Sequence, residues 1–196
     1  MQPEVSQAVA VPLVDLTPSH AELKSAILND VAEIVDANAF HNGPHVAAFE
    51  EAFATFHGTA HCIGVASGLD ALRLSLLALD IGPGDEVIVP AATFVASFEA
   101  VTQVGAVPVP VDVRPDDYTI DLDAAAAAVT PRARAFMPVH LYGQMADMVE
   151  LNALAERTGL AIVEDACQAH GATRDGILSG AGGTAGAFSF YAAKNL

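Results

Sequence analysis

The sequence predicts an α/β protein whose mostly parallel sheet is covered by helices on both faces. Three observations lead there. From residue 60 onward, short apolar runs alternate with segments of helical periodicity, the pattern of successive βαβ units. The runs are nearly continuous, as in EVIVP at 86–90 and LAIVE at 160–164, whereas a strand with one solvated face would alternate with polar residues. The composition, 53% hydrophobic and 16% charged, supplies the apolar surface such a sheet needs and lies far from that of a disordered chain.

The elements follow in order. Thr17-Pro18 reads as a helix start, a capping hydroxyl followed by proline in the first turn. The helix is predicted over residues 19–37, with Leu23, Ile27, Val31 and Ile34 at helical spacing. A second helix runs from Pro44 to His57, with Val46, Phe49, Phe53 and Phe56 on one face and Gly58 as its stop. CIGVA at 62–66 is the first predicted strand, and a helix starts at Ser67. EVIVP leads to a helix from Thr93, and AVPVPV at 106–111 is the next strand; its prolines suit a sheet edge or a bulge. A helix near Leu122 to Val129 includes the alanine run 124–128. The strand ARAFMPV, a helix near Asp147 to Thr158, the strand LAIVE and a final strand AFSFY at 187–191 complete the pattern.

No linker or composition break divides these 196 residues, so one domain is expected, with residues 1–58 as a helical segment and 59–196 as the α/β sheet. Only five residues follow the last strand. A domain rarely stops there without a closing helix, so the sequence is expected to be the front portion of a longer chain.

Charge and cysteine usage exclude several function classes. Eight Lys and Arg against 24 Asp and Glu give a net charge of −16, which repels nucleic-acid phosphates and anionic membranes. No run approaches the roughly 18 apolar residues of a membrane span, and the N-terminus lacks the basic-then-apolar order of a signal peptide. A soluble, cytoplasmic protein is expected. Cys62 and Cys167 sit in apolar runs without CxxC spacing and read as buried thiols rather than a disulfide or a metal site. The pairs His57/His61 and His41/His45 are interrupted by Gly58 and by Gly43-Pro44, so neither forms a zinc pair on one helix face. No metal is expected.

In open α/β sheets ligands bind beyond the carboxyl ends of the strands. Three segments place polar residues there. CIGVA runs into Ser67-Gly68-Leu69, a tight turn at a helix N-terminus whose free N–H groups favour a phosphate, although an ordinary serine cap explains the turn as well. LAIVE leads into Asp165, followed by Gln168 and His170; a carboxylate there suits a protonated ring nitrogen, or a turn cap. AFSFY leads to Lys194, one of two lysines in the chain, which reads as a surface residue or as an amine of lowered pKa able to form a Schiff base. Together they supply a phosphate cradle, a pyridinium partner and an amine, the parts that pyridoxal 5'-phosphate requires.

The motifs VPLVDL, GPHVAAFEEAF, GVASGLDAL, IGPGDEVIVPAATFVAS, PVHLYGQMADM, EDACQAHGA and FSFYAAKN, in this order, resemble the DegT/DnrJ/EryC1/StrS family of sugar aminotransferases, within the aspartate-aminotransferase-like fold (fold type I). The resemblance covers nearly the whole chain. It implies that Lys194 is the Schiff-base lysine, that Asp165 pairs with the pyridine nitrogen and that Gln168 hydrogen-bonds the ring's phenolic oxygen. It further implies that Phe94 stacks on the ring and that Gly68, Leu69 and Ser189 contact the phosphate. Leu69 stands where many relatives have threonine, so only its backbone N–H is expected to contribute. Thr184 stands where an acid is frequent, and Ala192-Ala193 replace a proline-containing pair. The family's dehydratase branch carries histidine in place of the lysine, so aminotransfer is expected. The implied reaction moves an amino group from an amino acid, glutamate by analogy, to a keto group of a nucleotide-linked deoxysugar, with the SGLDAL form pointing to C3. Relatives continue into a smaller C-terminal domain and complete each site across a homodimer. The alternatives are a non-catalytic or regulatory relative that keeps the fold, and another fold-type I enzyme such as a lyase or decarboxylase.

Overall fold

The computed structural model describes residues 11–12 and 15–194. The reading of the N-terminus against a signal peptide rests on residues outside this range, as does part of the VPLVDL motif. The chain divides into two compact units, Met1–His45 and Val46–Leu196.

The first unit contains α1, Thr17–Asp36. Pro18 sits in the first turn, where its missing N–H costs nothing. The expected Thr17 cap is not formed: the capping position is Leu16, and the Asp15 carboxylate instead accepts the Thr17 N–H at 2.9 Å. Leu23, Ile27 and Val31 are exposed to about half their surface.

The second unit is built on a five-stranded parallel sheet. Its strands are β1 (Glu86–Pro90), β2 (Val107–Val111), β3 (Ala133–Phe136), β4 (Ala161–Asp165) and β7 (Ala185–Ala187), in the order β2-β1-β3-β4-β7. β2, with Pro108 and Pro110, takes the edge, where a missing N–H removes no ladder bond. Every residue of β1 is buried, and its side chains alternate between two cores. Val87 and Val89 pack with Leu72, Leu76, Ala100, Val101 and Val163 under α3 (Gly68–Ala78) and α4 (Ala96–Gln103). Ile88 packs with Phe136, Met148, Leu151 and Ile162 under α5 (Leu122–Ala127) and α6 (Met148–Thr158). Three helices start as their sequences direct: Ser67, Asp121 and Asp147 each accept a backbone N–H from the following turn, and Gly159 ends α6 in the left-handed conformation. α4 instead starts at Ala96, not at Thr93 as expected, with no side-chain cap.

Two predicted strands are corrected. CIGVA at 62–66 is irregular and, among the described residues, pairs with no strand. The final strand is Ala185–Ala187, so only the first residue of AFSFY belongs to it. Gly186 suits that strand because a Cβ there would lie 2.4 Å from the Gly180 backbone. Phe188 and Phe190 leave the sheet for a ring cluster with Phe53 of α2 (Pro44–His57), at centroid distances of 5.0 and 5.4 Å. A short hairpin, β5 (Thr173–Arg174) and β6 (Ile177–Leu178), turns at Asp175-Gly176, both with positive φ. Among the described residues no helix is long and apolar enough to cross a membrane.

Candidate functional site

Residues from four strand ends meet beyond the carboxyl edge of the sheet. The Ser67-Gly68 turn opens α3. Ser67 Oγ accepts the Asp70 N–H at 3.1 Å, and the Asp70 carboxylate is held by Arg73 at 2.6 Å. The N–H groups of Gly68 and Leu69, in the first turn, have no acceptor within the helix. Gly68 is buried, and a Cβ on it would lie 2.7 Å from Cys167 Sγ and 2.9 Å from Ser189 Cβ. The loop after β4 and the segment after β7 therefore close directly on this turn. The Leu69 side chain packs into the core, so its backbone is the part available to a ligand.

Asp165, the last residue of β4, is 6% exposed. Its Oδ2 accepts the Ser97 hydroxyl at 2.6 Å and its Oδ1 the Cys167 N–H at 3.2 Å. Three residues on, Gln168 Oε1 accepts the Tyr142 N–H at 2.9 Å. Tyr142 lies in a 3-10 turn, Leu141–Gly143, with φ of 54°, and its ring projects into solvent. Phe94, just before α4, is 62% exposed, a large apolar ring outside either core.

Lys194 is half-buried, and its N–H donates to the Tyr191 carbonyl at 2.8 Å. Burial first, and then the Asp165 carboxylate, push the Cys167 thiol up, while the Lys194 charge opposes both. Burial pushes the His170 imidazole down, and the Lys194 charge adds to that effect. Lys194 is thus within electrostatic reach of the loop that follows Asp165. Both cysteines are free and half-buried, less enclosed than expected. Burial also raises the Cys62 thiol, so neither is set up as a nucleophile.

Beneath the site, the wholly buried pair His140 and Glu164 joins β3's continuation to β4. His140 Nδ1 accepts the Ala146 N–H at 3.2 Å, which leaves the proton on Nε2, donated to Glu164 Oε2 at 2.8 Å. Glu164 also accepts the N–H groups of Gly180 at 2.8 Å and Gly183 at 2.6 Å. It therefore pins the loop leading into β7.

All seven candidate residues lie in the second unit, and these contacts draw Gly68 together with Ser189 and both to the loop after Asp165. Ser97, Thr93, His140 and Glu164 were not singled out from the sequence; a buried serine four residues after a threonine carries no signal of its own. A cavity of about 960 Å³ between residues 59–67 and 180–191 reaches Ser67, Gly68 and Ser189 but not Asp165, Gln168 or Phe94. The hydrogen-bonded carboxylate, not this cavity, marks the chemically equipped place.

Known proteins share this arrangement of chain. Over 186 residues the sequence is 50% identical to the dTDP-3-amino-3,4,6-trideoxy-alpha-D-glucose transaminase of Streptomyces venezuelae, covering 95% of this chain and 49% of the relative. The crystal structure of S. venezuelae DesV in complex with a ketimine intermediate superposes with a TM-score of 0.92 at 50% identity, over 95% of this chain and 50% of that one. NtdA from Bacillus subtilis with bound cofactor PMP superposes with a TM-score of 0.76 at 35% identity, over 88% of this chain and 39% of that one. The chain spans about half the length of the relatives it matches. The family model of these aminotransferases matches residues 21–196, and the chain belongs to the DegT/DnrJ/EryC1/StrS aminotransferase family.

Proposed function

We propose that this chain is the cofactor-binding part of an aminotransferase that uses pyridoxal 5'-phosphate to move an amino group from an amino acid, glutamate first, to a keto group of a nucleotide-linked deoxysugar. The observation that carries the reading is the meeting at one sheet edge of a buried, doubly hydrogen-bonded carboxylate and an open helix N-terminus with no room for a Cβ; the half-buried Lys194, whose charge acts on Cys167, supports it. NtdA, 35% identical, holds the amine form of the same cofactor. The S. venezuelae relative, by its name, forms a 3-amino sugar, which favours C3 as the keto position. The whole protein is proposed to be a cytoplasmic homodimer with a further C-terminal domain.

The residues present fit the cofactor. The N–H groups of Gly68 and Leu69 and the Ser189 hydroxyl would hold the phosphate, whose charge the α3 N-terminus favours. Asp165 would face the ring nitrogen and keep a proton on it. Gln168, steadied by the Tyr142 N–H, would hydrogen-bond the ring oxygen, and the exposed Phe94 ring would cover the ring's flat face. When bound, the group supplies an electron sink for the pair left behind as the donor's α-proton departs. Lys194 Nζ is the base that takes up this proton and later returns it. The neutral Cys167 thiol, pushed up by burial, adds no competing charge beside Asp165.

Supplying the protein with glutamate and either a 3-keto or a 4-keto nucleotide sugar tests the function. Amino sugar from the 3-keto compound is expected. No amino sugar from either, with cofactor bound, would overturn the reading.

A further inference from the structure

Ser97 plays no part in the site as assembled from the strand ends, yet it is fully buried and bonded to the central carboxylate across 68 residues of sequence. Its Oγ lies 2.6 Å from Asp165 Oδ2 and 2.7 Å from Thr93 Oγ1. A hydroxyl carries a single hydrogen, and an ionised carboxylate carries none. The Ser97 hydrogen therefore goes to Asp165, and the Thr93 hydrogen goes to Ser97 Oγ at 2.7 Å in preference to the Phe94 carbonyl, which lies farther off at 3.3 Å. The donors run in one direction, from Thr93 through Ser97 to the carboxylate. With the Cys167 N–H on Oδ1, each carboxylate oxygen has one fixed donor, which sets the plane of the group and the direction of its remaining lone pairs.

The same bond fixes a second part of the site. Phe94 stands between Thr93 and Ser97, in the segment entering α4, and no buried cluster anchors its ring. The bond from Ser97 to Asp165 ties that segment to the end of β4.

We propose that Ser97 is the positioning residue of this site: through its hydrogen bond it orients the Asp165 carboxylate toward the cofactor's ring nitrogen and holds the Phe94 segment in register with it, with Thr93 holding Ser97. The proposal rests on the assignment of Asp165 given above. Ser97 touches no reacting atom; it acts through Asp165.

Cofactor labelled with ¹⁵N in the ring provides a readout other than activity, because its chemical shift reports the ring nitrogen's protonation across a pH series. Ser97→Ala should lower the nitrogen's titration midpoint by about one unit or more and weaken cofactor binding about 10- to 100-fold, the scale of a lost hydrogen bond to a charged group. Ser97→Thr, which keeps the hydroxyl, should restore most of both. Thr93→Val, which leaves the Ser97 donor in place, should show a smaller shift in the same direction, and it carries the test if Ser97→Ala does not fold. Wild-type titration in Ser97→Ala, or a Thr93→Val effect equal to or larger than that of Ser97→Ala, would overturn the proposal. Asp165→Asn separates this from the underlying reading. If it abolishes ring-nitrogen protonation while Ser97→Ala leaves it unchanged, only the positioning role fails. If Asp165→Asn leaves it unchanged, the assignment of Asp165 fails and the proposal falls with it.

Discussion

Glu164→Gln changes almost no volume, yet it should cost about as much stability as a large core truncation. Every partner of this carboxylate is a donor: the Gly183 N–H on Oε1, and the Gly180 N–H and His140 Nε2–H on Oε2. A glutamine has one oxygen. In its better orientation the amide nitrogen faces Gly183, so one charge-assisted bond is lost and two donors meet in a site with no exposure. His140 cannot relieve the conflict by changing tautomer, because its Nδ1 is already the acceptor for the Ala146 N–H. Each buried donor left unsatisfied costs about 1–3 kcal/mol, so a loss of roughly 2–5 kcal/mol is expected. For a chain of this size that lowers Tm by about 4–20 °C. Urea unfolding followed by circular dichroism should show a lower midpoint at unchanged slope. A Tm within about 1 °C of wild type would refute the hydrogen-bond assignment on which the calculation stands.

Other perturbations read other parts of the structure. Gly68→Ala forces a methyl against Cys167 and Ser189 and should cost about 1–3 kcal/mol, measured by thermal unfolding, with partial recovery in the Gly68→Ala/Cys167→Ala pair because the tighter 2.7 Å contact is removed. Ser67→Ala removes the α3 cap and should cost about 0.5–2 kcal/mol in the same assay. Burial holds the His57 and His170 imidazoles below the 6.5 of the unfolded chain, so the unfolded state binds more protons and stability should fall as pH drops from about 6.5. Tm measured from pH 8 to 5 should show that decline, and replacing both histidines with phenylalanine should flatten it.

The parts of the fold that could be read from sequence are those decided locally. Helix starts with a serine or aspartate cap were legible at Ser67 and Asp147, and the nearly all-apolar EVIVP run carried a strand buried on both faces. CIGVA misled because an apolar run becomes a strand only when another strand pairs with it, and none among the described residues does. AFSFY misled for the opposite reason. Pairing with β4 recruits Ala185–Ala187, residues of poor strand propensity, while the aromatic residues that look like a strand go to the Phe53 cluster. The hairpin at 173–178 was not read from the sequence: its Asp175-Gly176 turn is a two-residue hairpin signal, but its strands are too short for any hydrophobic period. In the candidate site, position after an apolar run singled out the Ser67-Gly68 turn, Asp165 and Lys194, whereas Phe94 and Ser189 came only from the family resemblance. Ser97, His140 and Glu164 could not be found from position, since the bonds that give them a role reach across the fold, 68 residues from Ser97 to Asp165 and 24 from His140 to Glu164.

The central claim is that Lys194 is the amine that binds the cofactor. The chain has only one other lysine, Lys24, and it is exposed on α1. Incubation with pyridoxal 5'-phosphate, reduction with borohydride and peptide mass spectrometry therefore give a nearly binary answer. The pyridoxyl group is expected on Lys194, and absent from that peptide in Lys194→Ala. A label confined to Lys24 or the terminal amine, or no label at all, would contradict the account.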